Sequence, residues 1–219
     1  MLQGAQENCE GDKPVAKNSA SCLGSLSRPV DDLRPRLAPA LETLIANICA
    51  QTDSLKHVDA RRILVVSGQA RGYARASIRG LNGVVVRVDG RRRHYELGLR
   101  PLWYRQSSLE RRLESLVHEL WHIAVEGHGQ LDPDHRHLAA SKKQDAREIK
   151  ALLRHALKVL PARSLAALGH HGEVLMPTWL QRPVLVEARR SKKNYSDRDL
   201  FWQPVMMLTP ASGRSVWWS

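Results

Sequence analysis

From Leu109 to Ala124 the apolar residues Leu109, Leu113, Leu116, Val117, Leu120, Ile123 and Ala124 recur at helical spacing. This periodicity predicts one amphipathic helix over residues 107–126. Ser107 or Ser108 supplies the N-cap, and Gly127 and Gly129 fall where a helix ends. Inside the run lies His118-Glu119-Leu120-Trp121-His122. Positions i and i+4 of a helix stand one above the other, so the two imidazoles point the same way and make half of a site for a divalent metal ion. Glu119, one residue round, can reach a water in the open position of such an ion. That is the metal-plus-general-base pattern of zinc hydrolases. The bland reading is a surface helix with two solvated histidines. Leu120 and Trp121 oppose it, because they bury the helix on both sides of the imidazoles, and buried imidazoles need polar partners.

A catalytic zinc site takes three protein ligands and keeps one position open. Downstream of His122 the chain offers His128, Asp132, Asp134, His135 and His137. His128 lies six residues past His122, the separation in the extended H-E-x-x-H-x-x-G-x-x-H pattern, and is the first expectation for the third ligand. That pattern has glycine at position 125, where this chain has Val125. The reversal therefore moves to Gly127-His128-Gly129. The run Asp132-Pro133-Asp134-His135-Arg136-His137 reads as a loop. It is the alternative source of a metal ligand, or of a group that hydrogen-bonds a reacting carbonyl.

Elsewhere, residues 1–30 are small and polar without periodicity and read as a flexible tail. Leu37 to Ala50 is a helix with Pro39 near its first turn. Ile63–Ser67 and Gly83–Val88 read as strands, with a hairpin turn at Asp89-Gly90 and a returning strand over Arg93–Leu99. Ser141–Leu160 is a further helix, stopped by Pro161, and Arg163–Gly169 is a short one. Val184–Arg189 and Val205–Leu208 read as strands among prolines. Trp179, Trp202, Trp217 and Trp218 serve to cover apolar surface. Met176 and Met206 are core filler or, in the sharper reading, a floor beneath the metal. His170 and His171 are a loop pair, solvated or late ligands.

With 219 residues the chain can bury a real core. We expect a catalytic domain over 31–162 and an extension over 163–219 packed on the same domain. No run of eighteen apolar residues occurs, so no membrane span is expected, and no secretory signal is visible at Met1–Glu7. Cys9, Cys22 and Cys49 form no C-x-x-C pair, which suggests a reducing, cytoplasmic setting and argues against a thiolate zinc site. The formal net charge is +12, with basic pairs from Arg61-Arg62 to Lys192-Lys193. Such a field favours polyanions, and weak nucleic-acid contact through the basic surface is the expectation set against an ordinary solvated face.

Residues 62–155 resemble a family of predicted zinc metallopeptidases of bacteria and their phages. The resemblance rests on Val65-Val66-Ser67-Gly68-Gln69-Ala70-Arg71 followed by Tyr73-Ala74, on Leu116-Val117-His118-Glu119-Leu120-Trp121-His122-Ile123, and on a Gly/His/Asp-rich loop before a basic helix. It implies a zincin-like α+β fold, a small mixed or antiparallel sheet packed on the metal helix and further helices. It also implies His118 and His122 as ligands of one Zn²⁺ per chain, Glu119 as catalytic base, and a peptide or protein as substrate. At the third ligand position such relatives often carry an aspartate, where this chain has His128. The competing reading is a nucleic-acid-associated protein whose zinc helix is structural.

Overall fold

The returning strand expected over Arg93–Leu99 divides at His94, and that division organises the β structure. The computed structural model describes residues 33–68, 75–135, 142–185 and 194–207, with Arg34–Ser219 forming one compact unit. In chain order the elements are α1 (Leu37–Gln51), β1 (Ile63–Ser67), β2 (Ala76–Gly80), β3 (Val85–Val88), β4 (Arg91–Arg93) and β5 (Tyr95–Leu99). There follow α2 (Pro101–Gln106), α3 (Leu109–Trp121), α4 (Lys142–Val159), α5 (Ala162–Gly169), β6 (Gly172–Trp179), β7 (Asn194–Ser196) and β8 (Leu200–Met207). β4 pairs with β3, which also pairs with β7. β5 instead becomes the centre of another sheet, parallel to β1 and antiparallel to β2. At the crossing, the His94 N–H donates to the Arg62 carbonyl (2.7 Å) and the His94 carbonyl accepts from Leu81 N–H (2.8 Å). β6 and β8 form an antiparallel pair. The architecture is α+β, built of small mixed sheets and several helices.

Strand alternation explains how the layers meet. Ile63 and Val65 of β1 face the main core with α1, α3 and the β6–β8 pair, whereas Leu64 and Val66 face a smaller core with Val86, Trp179 and Tyr195. α1 enters the main core through Leu41, Leu44, Ile45 and Ile48, spaced at three and four residues. β6 joins the same unit through Leu175 N–H, which donates to the Pro35 carbonyl (2.8 Å). β8 begins at Leu200, five residues before the expected strand, and carries Pro204 on a strand paired only with β6 among the described residues. An edge strand tolerates the missing donor. Val184 and Leu185 belong to no strand, and the rest of that expected strand lies outside the described residues.

Two buried charges hold these layers in place. Arg112 of α3 is fully buried and stacks on Tyr104. Its guanidinium donates to the carbonyls of Tyr104 (2.7 Å), Arg105 (3.0 Å), Leu168 (2.6 Å) and His170 (3.2 Å). One side chain thereby caps the C-terminal ends of α2 and α5, where the Tyr104 carbonyl also accepts Ser107 N–H (3.3 Å). Glu96 of β5 is equally buried; it accepts from Arg79, from Arg182 and from the Trp179 indole N–H (2.7 Å). A carboxylate taken from water requires such a set of donors. Among the described residues no helix is long and apolar enough to cross a membrane.

Candidate metal centre

α3 starts at Ser108, whose hydroxyl accepts from Arg111 N–H (3.3 Å), and buries Leu113, Leu116, Val117 and Leu120. It stops at Trp121, short of the expected 126, with His122 as its C-cap. The cause is a reversal just beyond it. Ile123 forms an antiparallel bridge with Leu131, Ala124 N–H donates to the Gln130 carbonyl (3.2 Å), and Asp132 N–H donates to the His122 carbonyl (2.8 Å). The tip is made by Gly127, His128 and Gly129 with φ of 68°, 59° and 92°. Glycine takes that conformation at no steric cost, whereas histidine does not. His57 Nε2–H donates to the Ile123 carbonyl (3.0 Å), fixing its tautomer and capping the helix end.

His118 and His122 bring their Nε2 atoms to 3.2 Å, with the rings 4.9 Å apart and inclined at 76°. A zinc–nitrogen bond of about 2.0–2.1 Å and a tetrahedral angle place two ligand nitrogens roughly 3.3 Å apart. The pair therefore fits adjacent corners of a zinc coordination tetrahedron. Both rings sit in the last turn of α3, where the helix dipole favours positive charge.

Glu119 is buried beside them, and its Oε2 accepts the Ile78 N–H of β2 (2.8 Å). The β2–β5 ladder explains why that donor is available. Leu81 N–H bonds to His94 and Arg100 N–H bonds to the Arg75 carbonyl (3.2 Å), so the alternating register turns Ser77 and Arg79 towards β5. The backbone groups of Ala76, Ile78 and Gly80 then face outwards, towards α3. Burial raises the Glu119 carboxyl to about 7 despite the opposing Ile78 hydrogen bond.

The third-ligand expectations fare differently. His128 is exposed at the reversal's tip, its ring 5.9 Å from His94 rather than gathered with His118 and His122. Burial, then Arg62, Arg92 and His128, hold the His94 imidazole below its ordinary value. The left-handed tip and its docking on β2 carry His128 away. Asn82 donates to the Gly129 carbonyl (2.9 Å), and Gly80 and Gly129 touch so closely that a Cβ at Gly80 would overlap that carbonyl. The segment after the tip, held by the Ile123–Leu131 bridge, instead brings Asp132 and His135 beside the end of α3. His135 stacks on Trp121 (3.7 Å), and its Nδ1 lies 2.7 Å from the Trp121 carbonyl and 3.6 Å from Asp132. A carbonyl only accepts, so Nδ1 carries the proton and Nε2 keeps its lone pair. Asp132 Oδ1 accepts Asp134 N–H (2.8 Å). Among the described residues no three His, Cys, Asp or Glu side chains converge as a metal-binding group. His137 lies outside the described residues.

His170 and His171 have rings 6.4 Å apart and join no such group, while Met176 is buried in the main core and Met206 is exposed. Cys49 is buried, which pushes its thiol up to about 12 and leaves it unsuited to metal binding. Sequence reasoning missed the Ile78 N–H because a backbone donor leaves no residue-type signature, and β2 (Ala-Ser-Ile-Arg-Gly) does not read as a strand. His57 was equally silent, although a histidine between turns could have been tested as a cap. No protein family, curated protein or solved structure matches this chain.

Proposed function

We propose that this chain is a zinc-dependent metallopeptidase of zincin-like fold, with one zinc ion held by His118, His122 and a third ligand from the returning segment. The observation that carries the reading is the 3.2 Å pair of imidazole nitrogens with a buried carboxylate on the adjoining residue. His135 is the favoured third ligand among the described residues, because its ring is held against Trp121 at the end of α3 and its Nδ1 proton leaves Nε2 to coordinate. When bound, zinc would supply Lewis-acid polarisation and a lowered pKa for its water.

The remaining chemistry belongs to the chain. Ile78 holds Glu119 Oε2, which leaves Oε1 to take a proton from the attacking water and return it to the leaving amine nitrogen. Beside a bound cation the Glu119 carboxylate would be ionised and ready to accept that proton. The outward carbonyls of Ala76 and Ile78 can pair with an extended peptide through main-chain bonds, which recognises backbone rather than side chains.

The test is zinc stoichiometry and peptide-bond cleavage measured on the same preparations. Glu119→Gln should keep zinc and lose turnover, whereas His118→Ala should lose both. Undiminished cleavage by zinc-loaded Glu119→Gln would remove the base from the mechanism. His135→Ala should weaken zinc binding and His128→Ala should leave it intact. The reverse order would return the third-ligand role to His128.

A further inference from the structure

The hairpin β3–β4 carries an arrangement that is unfavourable by itself. Asp89 and Gly90 at its turn have φ of 51° and 70°, the geometry of a two-residue type I′ turn. Val88 and Arg91 close that turn as the hydrogen-bonded pair, so the next pair, Arg87 opposite Arg92, is of the non-hydrogen-bonded kind. Side chains of such pairs lie closest, with Cα atoms about 4.5 Å apart. Both arginines are exposed, and like charges directly opposite each other destabilise a sheet. Among the described residues neither makes an ion pair.

Further basic side chains lie alongside. His94 follows Arg92 by two residues along extended chain, hence on the same side, and its Nδ1 is 3.5 Å from Arg62 Nη1. His128, at the tip of the reversal, approaches His94 from the neighbouring loop. On the other flank, Ser196 of β7 stands opposite Arg87, with its hydroxyl accepting Arg198 N–H (3.4 Å). The nearby acids each have another partner: Asp59 pairs with Arg61 (3.0 Å) and Arg62 (3.4 Å), Asp89 lies 3.7 Å from Arg93, Asp197 accepts Asp89 N–H at the turn (3.1 Å), and Asp199 accepts Ser196 N–H (2.8 Å).

We propose that the exposed face of the β4–β3–β7 sheet binds the phosphate backbone of nucleic acid, with Arg87 and Arg92 converging on one phosphodiester. This goes beyond the peptidase reading and does not depend on it. Charge complementarity selects the occupant: a chain of formal charge +12 presents two planar guanidinium groups without acid partners, and that donor geometry matches phosphate. Among the described residues no exposed large apolar side chain lies on β3, β4 or β7 to stack bases, so recognition is of backbone and independent of sequence. A phosphate between the two arginines removes the repulsion that the free face carries.

The experiment is fluorescence anisotropy of the full chain with a labelled oligonucleotide of mixed sequence, titrated over a range of salt concentrations. Arg87→Gln/Arg92→Gln should bind at least tenfold more weakly and reduce the salt slope by about two. Lys150→Gln/Arg154→Gln on α4 removes the same charge from a distant exposed face and should bind within about twofold of the parent. Thermal unfolding supplies a second readout, since relieving the repulsion should leave the hairpin variant melting no lower than the parent. Equal losses in both variants, or no binding to the parent at low salt, would overturn the proposal. Displacement of the oligonucleotide by poly-glutamate at equal charge concentration would overturn the choice of nucleic acid in favour of an acidic protein.

Discussion

Replacing Glu119 by glutamine should change how the metal-free protein's stability depends on pH, and the direction follows from the site. The carboxyl is buried, and its folded-state value is raised from the ordinary 4.5 to about 7. Between those two values the folded protein holds a proton that the unfolded chain has released, so unfolding releases it and stability falls as pH rises. The stabilising contribution is complete below pH 4.5 and is lost on passing about 7. At about 1.4 kcal/mol per pH unit, that interval corresponds to about 3.5 kcal/mol. Glutamine carries no charge at any of these pH values, and its amide oxygen can still accept the Ile78 N–H. The assay is urea unfolding of wild type and Glu119→Gln in the presence of a chelator at pH 5, 6, 7 and 8. Comparing the two proteins cancels every other titrating group, and equal m-values license the comparison. Wild type should lose stability relative to the variant, by about 2.5 kcal/mol in all, between pH 5 and 8. Parallel curves through that window would refute the burial argument.

Zinc should reverse this trend. Ligation needs neutral imidazoles, so the stabilisation from added zinc grows as pH rises, and the metal-free and zinc-loaded curves should diverge above neutrality. Arg112→Met should lower unfolding free energy by about 3–5 kcal/mol, because four helix-end carbonyls lose their donor at once; Arg112→Lys should recover only part, as read by chemical denaturation. Gly80→Ala would push its new Cβ into the Gly129 carbonyl and should release the reversal from β2, which hydrogen exchange at the Gln130 and Asp132 amides would report as lost protection.

The sequence revealed elements whose identity lies in apolar period. α1 and α3 declare themselves by residues spaced at three and four, and the Val-Val run of β1 by its buried continuity. Boundaries governed by distant backbone contacts were hidden. α3 ends at Trp121 because the Leu131 strand returns to Ile123, and nothing local in Ile123-Ala124-Val125 forbids another helical turn. β2 was hidden for a related reason. Its Ser77, Arg79 and Gly80 lack strand propensity, yet β5 pairs with it and Arg79 meets the buried Glu96. At the site, helical spacing foresaw the stacking of His118 over His122, because i and i+4 geometry is local. The placement of His128 depended on three successive left-handed residues and on the Gly80–Gly129 contact, a tertiary matter that spacing from His122 does not encode.

The components of the candidate centre also explain one another electrostatically. A carboxylate in a nearly dry position is expensive, and a single backbone N–H offsets only part of that cost. Two imidazoles one helical turn apart at a helix C-terminus form a place where positive charge is welcome. A divalent cation between the nitrogens would stabilise the ionised carboxylate and use the helix dipole together. On the proposed zinc reading, the burial of Glu119 adds to the histidine spacing an electrostatic role for a bound cation. This is why removing the Glu119 charge should affect the metal-free fold and the proposed chemistry in opposite directions.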